Sequence, residues 1–175
     1  YLINADGSGA IQLTANESGA DHSPKWSPGG EQIAFIRSES KTNRILSQIY
    51  TIRTDGTGLL NLSNPERDDA AFTWSADGAW ITYFSSPNKC PFPGDCPASE
   101  IQSVRADGTE RATLLVLPNS LTLDVARTDW SPDGMRVVMV SWDSPVGSAG
   151  NSYLSILSPF SNSDIVSRKI PGHIA

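Results

Sequence analysis

Trp130-Ser131-Pro132-Asp133-Gly134 is a tight-turn sequence with two earlier copies in the chain, each slightly altered. The earlier copies are Trp26-Ser27-Pro28-Gly29-Gly30 and Trp74-Ser75-Ala76-Asp77-Gly78. Their tryptophans are 48 and 56 positions apart (74 − 26 and 130 − 74). Self-similarity at such a period is the signature of stacked supersecondary units. The repeat therefore predicts an architecture before any single motif is considered.

A second turn signal recurs with nearly the same period. Asp-Gly pairs stand at Asp6-Gly7, Asp55-Gly56 and Asp107-Gly108, which are 49 and 52 positions apart (55 − 6 and 107 − 55). Asp-Gly favours a hairpin turn, because Gly accepts a positive φ and Asp tolerates one. Two interleaved turn signals that share a period indicate repeated hairpins.

The most apolar run of each unit follows the tryptophan turn. These runs occupy residues 33–36, 80–84 and 137–140, and they are rich in β-branched and aromatic residues. They are apolar at consecutive positions, which predicts strands that are buried on both faces.

Two further strands flank each of these runs, and a fourth closes the unit. Short mixed stretches precede the tryptophans at 23–26, 71–74 and 127–130, and further strands are predicted at 49–52, 101–104 and 153–156. No stretch has sustained helical periodicity, and Gly, Pro, Ser and Asn punctuate the chain. The chain is therefore predicted to be all-β.

Four-stranded units with a doubly buried second strand predict a β-propeller, because neighbouring blades cover both faces of each sheet. A β-sandwich gives no reason for three in-phase copies of one motif, and a β-helix needs a shorter period. We place complete blades at 23–63, 71–118 and 125–170, and an outer half-blade at 1–14, all in one domain over 1–175.

The order of these motifs resembles the WD-like repeat of the TolB propeller family. Trp130-Ser131-Pro132-Asp133-Gly134 matches the family turn in full, and 32–36 and 48–52 match closely. Gly29 and Ala76 depart from the turn pattern, and 158–162 replaces the third Asp-Gly. This repeat occurs in periplasmic TolB, in non-catalytic propellers of prolyl-oligopeptidase-type hydrolases, in some lyases and in bacterial surface proteins. The resemblance therefore implies the fold and leaves the function open.

About three and a half blades make an incomplete ring, whereas propellers typically close with four to eight. We expect the chain to be a piece of a longer protein, with possible self-association through its open blade edges. Ring completion by a second copy is the alternative, although it leaves the half-blade without inner strands.

Composition narrows the classes of partner. The formal net charge is −6 and basic residues are scattered singly, which argues against nucleic acid and anionic membranes as partners. No apolar run approaches the ~18 residues that a membrane-spanning helix needs, so no membrane insertion is predicted. With 38% hydrophobic and 18% charged residues, the chain can build a core. We expect a periplasmic or extracellular bacterial protein.

Two cysteines lie six positions apart, at Cys90 and Cys96. They are the only cysteines and neither histidine is near them in sequence, so this loop does not supply the four ligands of a zinc site. We predict a disulfide between them, which would add about 2 kcal/mol of stability and indicate an oxidising compartment.

The sequence offers little for catalysis. The segment 150–154 lacks the final glycine of a nucleophile elbow, and His22 and His173 are isolated histidines. We predict that the protein is not an enzyme and has neither a cofactor nor a metal site.

Candidate contact residues cluster at the predicted rim of the central channel. Asp21, His22, Asp68 and Asp69 fall just before or at the start of inner strands, and Trp142 is a tryptophan outside the repeat, predicted in a loop. We interpret them as contacts for a protein or peptide partner of a non-catalytic, TolB-like scaffold. The alternative is a propeller that gates substrate access in a larger prolyl-oligopeptidase-type hydrolase or another enzyme.

Overall fold

The computed structural model of the chain describes residues 1–41, 44–87, 98–117, 121–132, 136–143, 151–157 and 166–169. This part of the chain contains twelve β-strands and no helix, which confirms the all-β prediction. The strands are β1 (Gly19–Trp26), β2 (Gln32–Lys41), β3 (Arg44–Arg53), β4 (Leu60–Asn61), β5 (Arg67–Trp74), β6 (Trp80–Pro87), β7 (Glu100–Arg105), β8 (Arg111–Val116), β9 (Leu121–Trp130), β10 (Val137–Asp143), β11 (Asn151–Leu157) and β12 (Val166–Lys169).

The strands form three four-stranded antiparallel sheets in sequence order: β1–β4, β5–β8 and β9–β12. Strand β5 packs against β3 of the first sheet, and β9 of the third sheet packs against β5. Among the described residues, no extensive packing joins the third sheet to the first, and the ring is not closed. The prediction of an incomplete β-propeller is confirmed.

The N-terminal segment forms one further antiparallel pair, in which Leu2 bridges Ile11. Its turn contains Gly7 at φ 84°, and the Asp6 carboxylate accepts hydrogen bonds from the backbone and hydroxyl of Ser8. Leu2 and Leu13 pack against the first sheet. The segment thus lies beside the first sheet as a pair of outer strands.

The predicted second strands supply much of the core. Ile81 and Tyr83 are fully buried, and residues 33–36 of β2 are buried as well. In β10, Val137 and Met139 pack against the second sheet, whereas Val138 and Val140 are half-buried. Burial at consecutive positions is therefore found over 33–36 of β2 and 81–83 of β6.

The repeat tryptophans differ in their surroundings. Trp74 is 7% exposed and its Nε1 donates a hydrogen bond to the Lys25 carbonyl of the first sheet, 3.2 Å away. Trp26 holds the same repeat position but is 53% exposed. The repeat tryptophan therefore packs between two sheets at position 74 and is largely exposed at position 26.

The inner strands begin earlier than the sequence predicted, at residues 19, 67 and 121 in place of 23, 71 and 127. A bulge lies at each of the first two predicted starts, where pairing is offset and Ser23 and Ala71 have φ values of 54° and 33°. The strands continue through these bulges. Polar residues that we had interpreted as loop therefore lie within strands.

Several predictions fall on residues that the structure does not describe. They are the Cys90–Cys96 disulfide, His173 and the segment 158–162. Within the described ranges, there is no helix long and apolar enough to cross a bilayer.

Candidate functional site

A chain of polar side chains crosses from the first sheet to the second, and we call His22, Ser38, Ser47 and Asp68 the rim network. His22 Nε2 lies 3.0 Å from Ser38 Oγ, and Ser38 Oγ lies 2.8 Å from Ser47 Oγ. The Ser47 backbone N donates to Asp68 Oδ1 at 2.8 Å. The exposed His22 imidazole is thereby linked to a carboxylate on the neighbouring inner strand.

Strand register explains this network. Ser38 and Ser47 are direct cross-strand partners in β2 and β3, so their hydroxyls meet. Asp68 reaches the backbone of β3 because β5 packs against that strand. His22 is the last residue before the β1 bulge, where its Nδ1 also lies 3.1 Å from Ser23 Oγ. The polar groups are therefore held by regular strands, a rigid support for recognition.

Asp21 forms an ion pair with its cross-strand partner, Arg37. The pair is bidentate, with Nε–Oδ1 at 2.7 Å and a second contact to Oδ2 at 2.8 Å. The Arg37 guanidinium also lies over the rings of Phe35 and Tyr50, at 5.7 and 4.9 Å. Burial tends to raise the pKa of Asp21, but hydrogen bonds led by Arg37 outweigh it, so the pKa is lowered. Asp21 is a charged and internally paired group.

Asp69 holds the position of Asp21 one repeat later and pairs across the strands with Ser85. Its Oδ1 accepts from Ser85 Oγ at 2.5 Å, and Arg67 Nε donates to the same hydroxyl at 2.7 Å. The side chain is fully buried, and its Oδ2 has no hydrogen-bond partner within the described part of the chain. Burial raises the pKa of Asp69 to about 6.

The location of Asp69 corrects the predicted contact set. We had grouped it with the rim residues, but its carboxylate lies inside the second sheet's packed interior, where it offers no surface to a partner. In a strand, successive side chains point to opposite faces, so Asp68 and its neighbour Asp69 cannot share a surface.

Trp142 lies within β10, where it pairs with Thr122 and Ser152. The sequence had placed it in a loop, and the strand assignment corrects this. Its side chain is outside the described part of the structure, so its role as a contact stays a prediction. It belongs to the third sheet, whereas the rim network spans the first two.

A cavity of about 360 Å³ adjoins the rim network, between the N-terminal pair and the first sheet. Asn16, Asp21 and His22 supply polar lining. Its apolar lining includes Leu13, Ile33, Phe35 and Ile52. The size falls within the range of ligand-binding pockets, and the mixed lining suits a segment with both polar and apolar groups.

Sequence reasoning missed Arg37, Ser38 and Ser47. Arg37 could have been found from the repeat. In the first two sheets, the residue eleven positions after the repeat tryptophan pairs with the residue five positions before it, and in the first sheet these residues are Arg37 and Asp21. Ser38 and Ser47 had no such signal, since serine is common throughout this chain.

Replacing Arg37 by Met is expected to lower the free energy of unfolding by about 1–3 kcal/mol. The change leaves the half-buried Asp21 carboxylate without its bidentate partner and keeps an apolar stem over Phe35. Arg37→Lys is the matched control: it retains the charge but not the planar fork, so a smaller loss is expected. Urea denaturation monitored by circular dichroism measures both. Equal stability of wild type and Arg37→Met would contradict the structural role of this pair.

Comparison with known proteins shows the fold. No family model matches the chain. A protein assigned as TolB from Agrobacterium tumefaciens superposes with a TM-score of 0.59 at 22% identity, covering 90% of this chain and 50% of that one. The propeller domain of the Trilobed protease from Pyrococcus furiosus gives 0.65 at 15% identity, covering 90% of this chain and 45% of that one.

An enzyme also contains a similar substructure. The acylaminoacyl peptidase of Pyrococcus horikoshii gives a TM-score of 0.66 at 11% identity, covering 89% of this chain and 25% of that one. The chain spans about half the length of the two propeller proteins above and a quarter of this peptidase. At these identities the likeness concerns architecture, and the chain is a β-propeller segment similar to those of TolB and of peptidases.

Proposed function

We propose that the chain is a non-catalytic, TolB-like propeller scaffold that binds a protein or peptide partner at the rim formed by His22 and Asp68, while Asp21 stays in its ion pair with Arg37. The observation that carries this proposal is the rim network. It connects an exposed imidazole to a carboxylate through Ser38 and Ser47, by hydrogen bonds between strands of two sheets. Preorganised polar groups of this kind lose little freedom on binding, which favours recognition.

The chemistry of the rim favours a basic partner segment. Asp68 uses Oδ1 for the Ser47 backbone, and within the described part of the chain its Oδ2 accepts no hydrogen bond, so this oxygen can accept one from a partner. The net charge of −6 adds a field that attracts cationic segments and steers their approach. Trp142 of the third sheet is proposed as a separate contact. The periplasm or the cell surface is the proposed location.

A second function is supported by one comparison. The Pyrococcus horikoshii acylaminoacyl peptidase contains a similar substructure within a chain about four times as long as the matched part. In that case this chain would be the propeller of a larger enzyme and would shape access to its catalytic domain. A serine-hydrolase domain in the same gene would decide for this alternative.

A peptide-display selection tests the scaffold proposal. Short random peptides are selected on the wild-type chain, and dissociation constants are measured by fluorescence anisotropy. We expect enriched peptides rich in Lys and Arg, and about tenfold weaker binding to a His22→Ala/Asp68→Asn double variant. Asn at position 68 can still accept from Ser47, so folding is expected to be retained.

Glu31→Gln is the control for the change in charge, since Glu31 is exposed and directly follows the first repeat turn. It should bind the selected peptides as the wild type does. Failure to enrich basic peptides, or equal affinity for wild type and double variant, would refute rim binding. Turnover of peptide, ester or glycoside substrates that His22→Ala abolishes would refute the non-catalytic assignment.

A further inference from the structure

The outer edge of β3, which is the edge away from β2, is covered along only part of its length. Strand β3 has ten residues, and β4 pairs with two of them, Tyr50 and Thr51. In the second sheet, by contrast, β8 pairs with β7 from the first residue of that strand, Glu100. Among the described residues, no strand therefore lies beside residues 44–48 on this side.

The backbone of Ile45 faces this uncovered edge. The Leu62 N–H donates to the Ile49 carbonyl at 2.8 Å, so the polar backbone groups of Ile49 point away from β2. In an antiparallel sheet these groups point to the same side at every second residue, which includes Ser47 and Ile45. The Ser47 N–H donates to Asp68 Oδ1 at this edge. The N–H and carbonyl of Ile45 have no neighbouring strand there within the described ranges, so they can pair with an added one.

The Ile45 side chain is an exposed apolar group beside the rim network. It is 69% exposed. Side chains alternate between the two faces of a strand, so Ile45 shares a face with Ser47 and Ile49. Ile49 is buried in the cluster that includes residues of the second sheet. Ile45 therefore lies on the face toward the second sheet, two residues, or about 7 Å, from Ser47 along the strand.

The charge at this edge favours a cationic partner. Asp68 Oδ2 accepts no hydrogen bond within the described part of the chain. The exposed Glu66 lies two residues before Asp68 and adds negative charge. Arg44 belongs to the opposite face of β3 by strand alternation. An apolar side chain and a carboxylate oxygen are thus presented together, at a spacing of two strand residues.

We propose that the open edge of β3 at Ile45 binds an extended antiparallel segment in which Lys or Arg stands two positions before an apolar residue, an inference that rests on the proposed binding at the rim. The apolar residue exchanges two main-chain hydrogen bonds with Ile45 and packs on its side chain. The basic residue lies on the same face, and its long side chain donates to Asp68 Oδ2. Main-chain pairing supplies affinity, and the two side chains supply specificity.

Fluorescence anisotropy of two labelled heptapeptides, titrated with the 175-residue chain, tests the spacing. The first is Ser-Thr-Lys-Thr-Ile-Thr-Ser, and the second, Ser-Thr-Thr-Lys-Ile-Thr-Ser, has the same composition with Lys and Ile adjacent. Adjacent side chains point to opposite faces of a strand, so the first peptide should bind roughly tenfold more tightly. Methylation of its Ile amide nitrogen removes one main-chain donor and should weaken binding roughly tenfold.

Two variants of the chain test the contact at Ile45. Ile45→Thr keeps a β-branched residue and removes the apolar contact, so the first heptapeptide should bind roughly tenfold more weakly. Val116→Thr is the matched control, since Val116 is 58% exposed in β8, away from this edge, and affinity should be unchanged. Hydrogen exchange measured by nuclear magnetic resonance adds a direct readout, because the Ile45 amide should become protected when the peptide binds.

Equal affinities of the two heptapeptides, or an Ile45 amide that exchanges equally fast with and without peptide, would overturn the proposal. Binding that Asp68→Asn leaves unchanged would also overturn it, since the basic residue would then have another acceptor. Failure here is distinguishable from failure of the proposed function. Display-selected basic peptides that bind the His22→Ala/Asp68→Asn variant more weakly, but Ile45→Thr as tightly as wild type, would overturn edge pairing and leave rim binding in place.

Discussion

Replacing Tyr83 by Ala is expected to lower the free energy of unfolding by about 3–5 kcal/mol. Tyr83 is 1% exposed and lies in the cluster that joins the first sheet to the second. Its hydroxyl donates to Gln102 Oε1 at 3.0 Å and accepts from Arg111. Arg111 also donates to the Leu62 carbonyl of the first sheet. The substitution therefore opens a cavity and removes one partner from a polar network that crosses the junction.

Two control variants separate these effects. Tyr83→Phe removes only the hydroxyl, so a loss of about 1–2 kcal/mol is expected. Tyr50→Ala makes the same truncation at a half-buried tyrosine that stacks on Phe35, and should cost less. Urea denaturation of all three variants gives the comparison. A loss below 1 kcal/mol for Tyr83→Ala would mean that the junction between the sheets does not hold as described. Because folded domains are stable by only about 5–15 kcal/mol, the expected loss is a large share of the total.

The stability of the wild type is expected to fall by up to about 3 kcal/mol between pH 4 and pH 7, through Asp69. Burial raises the pKa of Asp69 from 3.8 to about 6. The folded chain therefore binds a proton more tightly than the unfolded chain does. This contribution is fully present below pH 3.8 and is lost as the pH rises through 6. Arg67 and Arg111 favour the charged form, but burial outweighs them.

Asp69→Asn tests this dependence, because the amide keeps an acceptor for Ser85 and has no proton to lose in this range. We expect the variant to lack the Asp69 contribution and to exceed the wild type in stability at pH 7.5. Guanidinium denaturation of both proteins from pH 4 to pH 8 gives the difference between them. That difference cancels the carboxylates that titrate alike in both chains. Parallel curves for wild type and Asp69→Asn would show that Asp69 stays charged when buried.

The sequence predicted features that depend on neighbouring residues along the chain. The Asp-Gly pairs predicted hairpin turns, and Gly7, Gly56 and Gly108 adopt the positive φ that these turns require. The apolar runs predicted the second strand of each unit, and β2, β6 and β10 form at these runs. Turn geometry and strand alternation are local properties, so the residue types record them directly.

The starts of the inner strands were predicted less well. Asp has low strand propensity, so Asp21 and Asp68 were interpreted as loop residues just before each strand. In the structure they extend the strands beyond a bulge, because cross-strand and inter-sheet partners satisfy their polar groups. Strand propensity is a property of the isolated segment. It could not predict these strand extensions, because the partners that stabilise them lie elsewhere in the chain.

By itself, the sequence determined the repeat, the all-β class and the order of strands in each sheet, since the periodic turns and apolar runs specify them locally. Only the tertiary structure decided the environment of each repeated position. Asp21 and Asp69 hold the same place in successive repeats, yet one forms an ion pair beside an open cavity and the other is buried with a raised pKa. Trp26 and Trp74 differ in the same way, as one is exposed and the other packed. The physical reason is that burial and charge pairing depend on which sheet lies against a residue. Such a contact joins residues far apart in sequence, as Trp74 and Lys25 are at 49 positions.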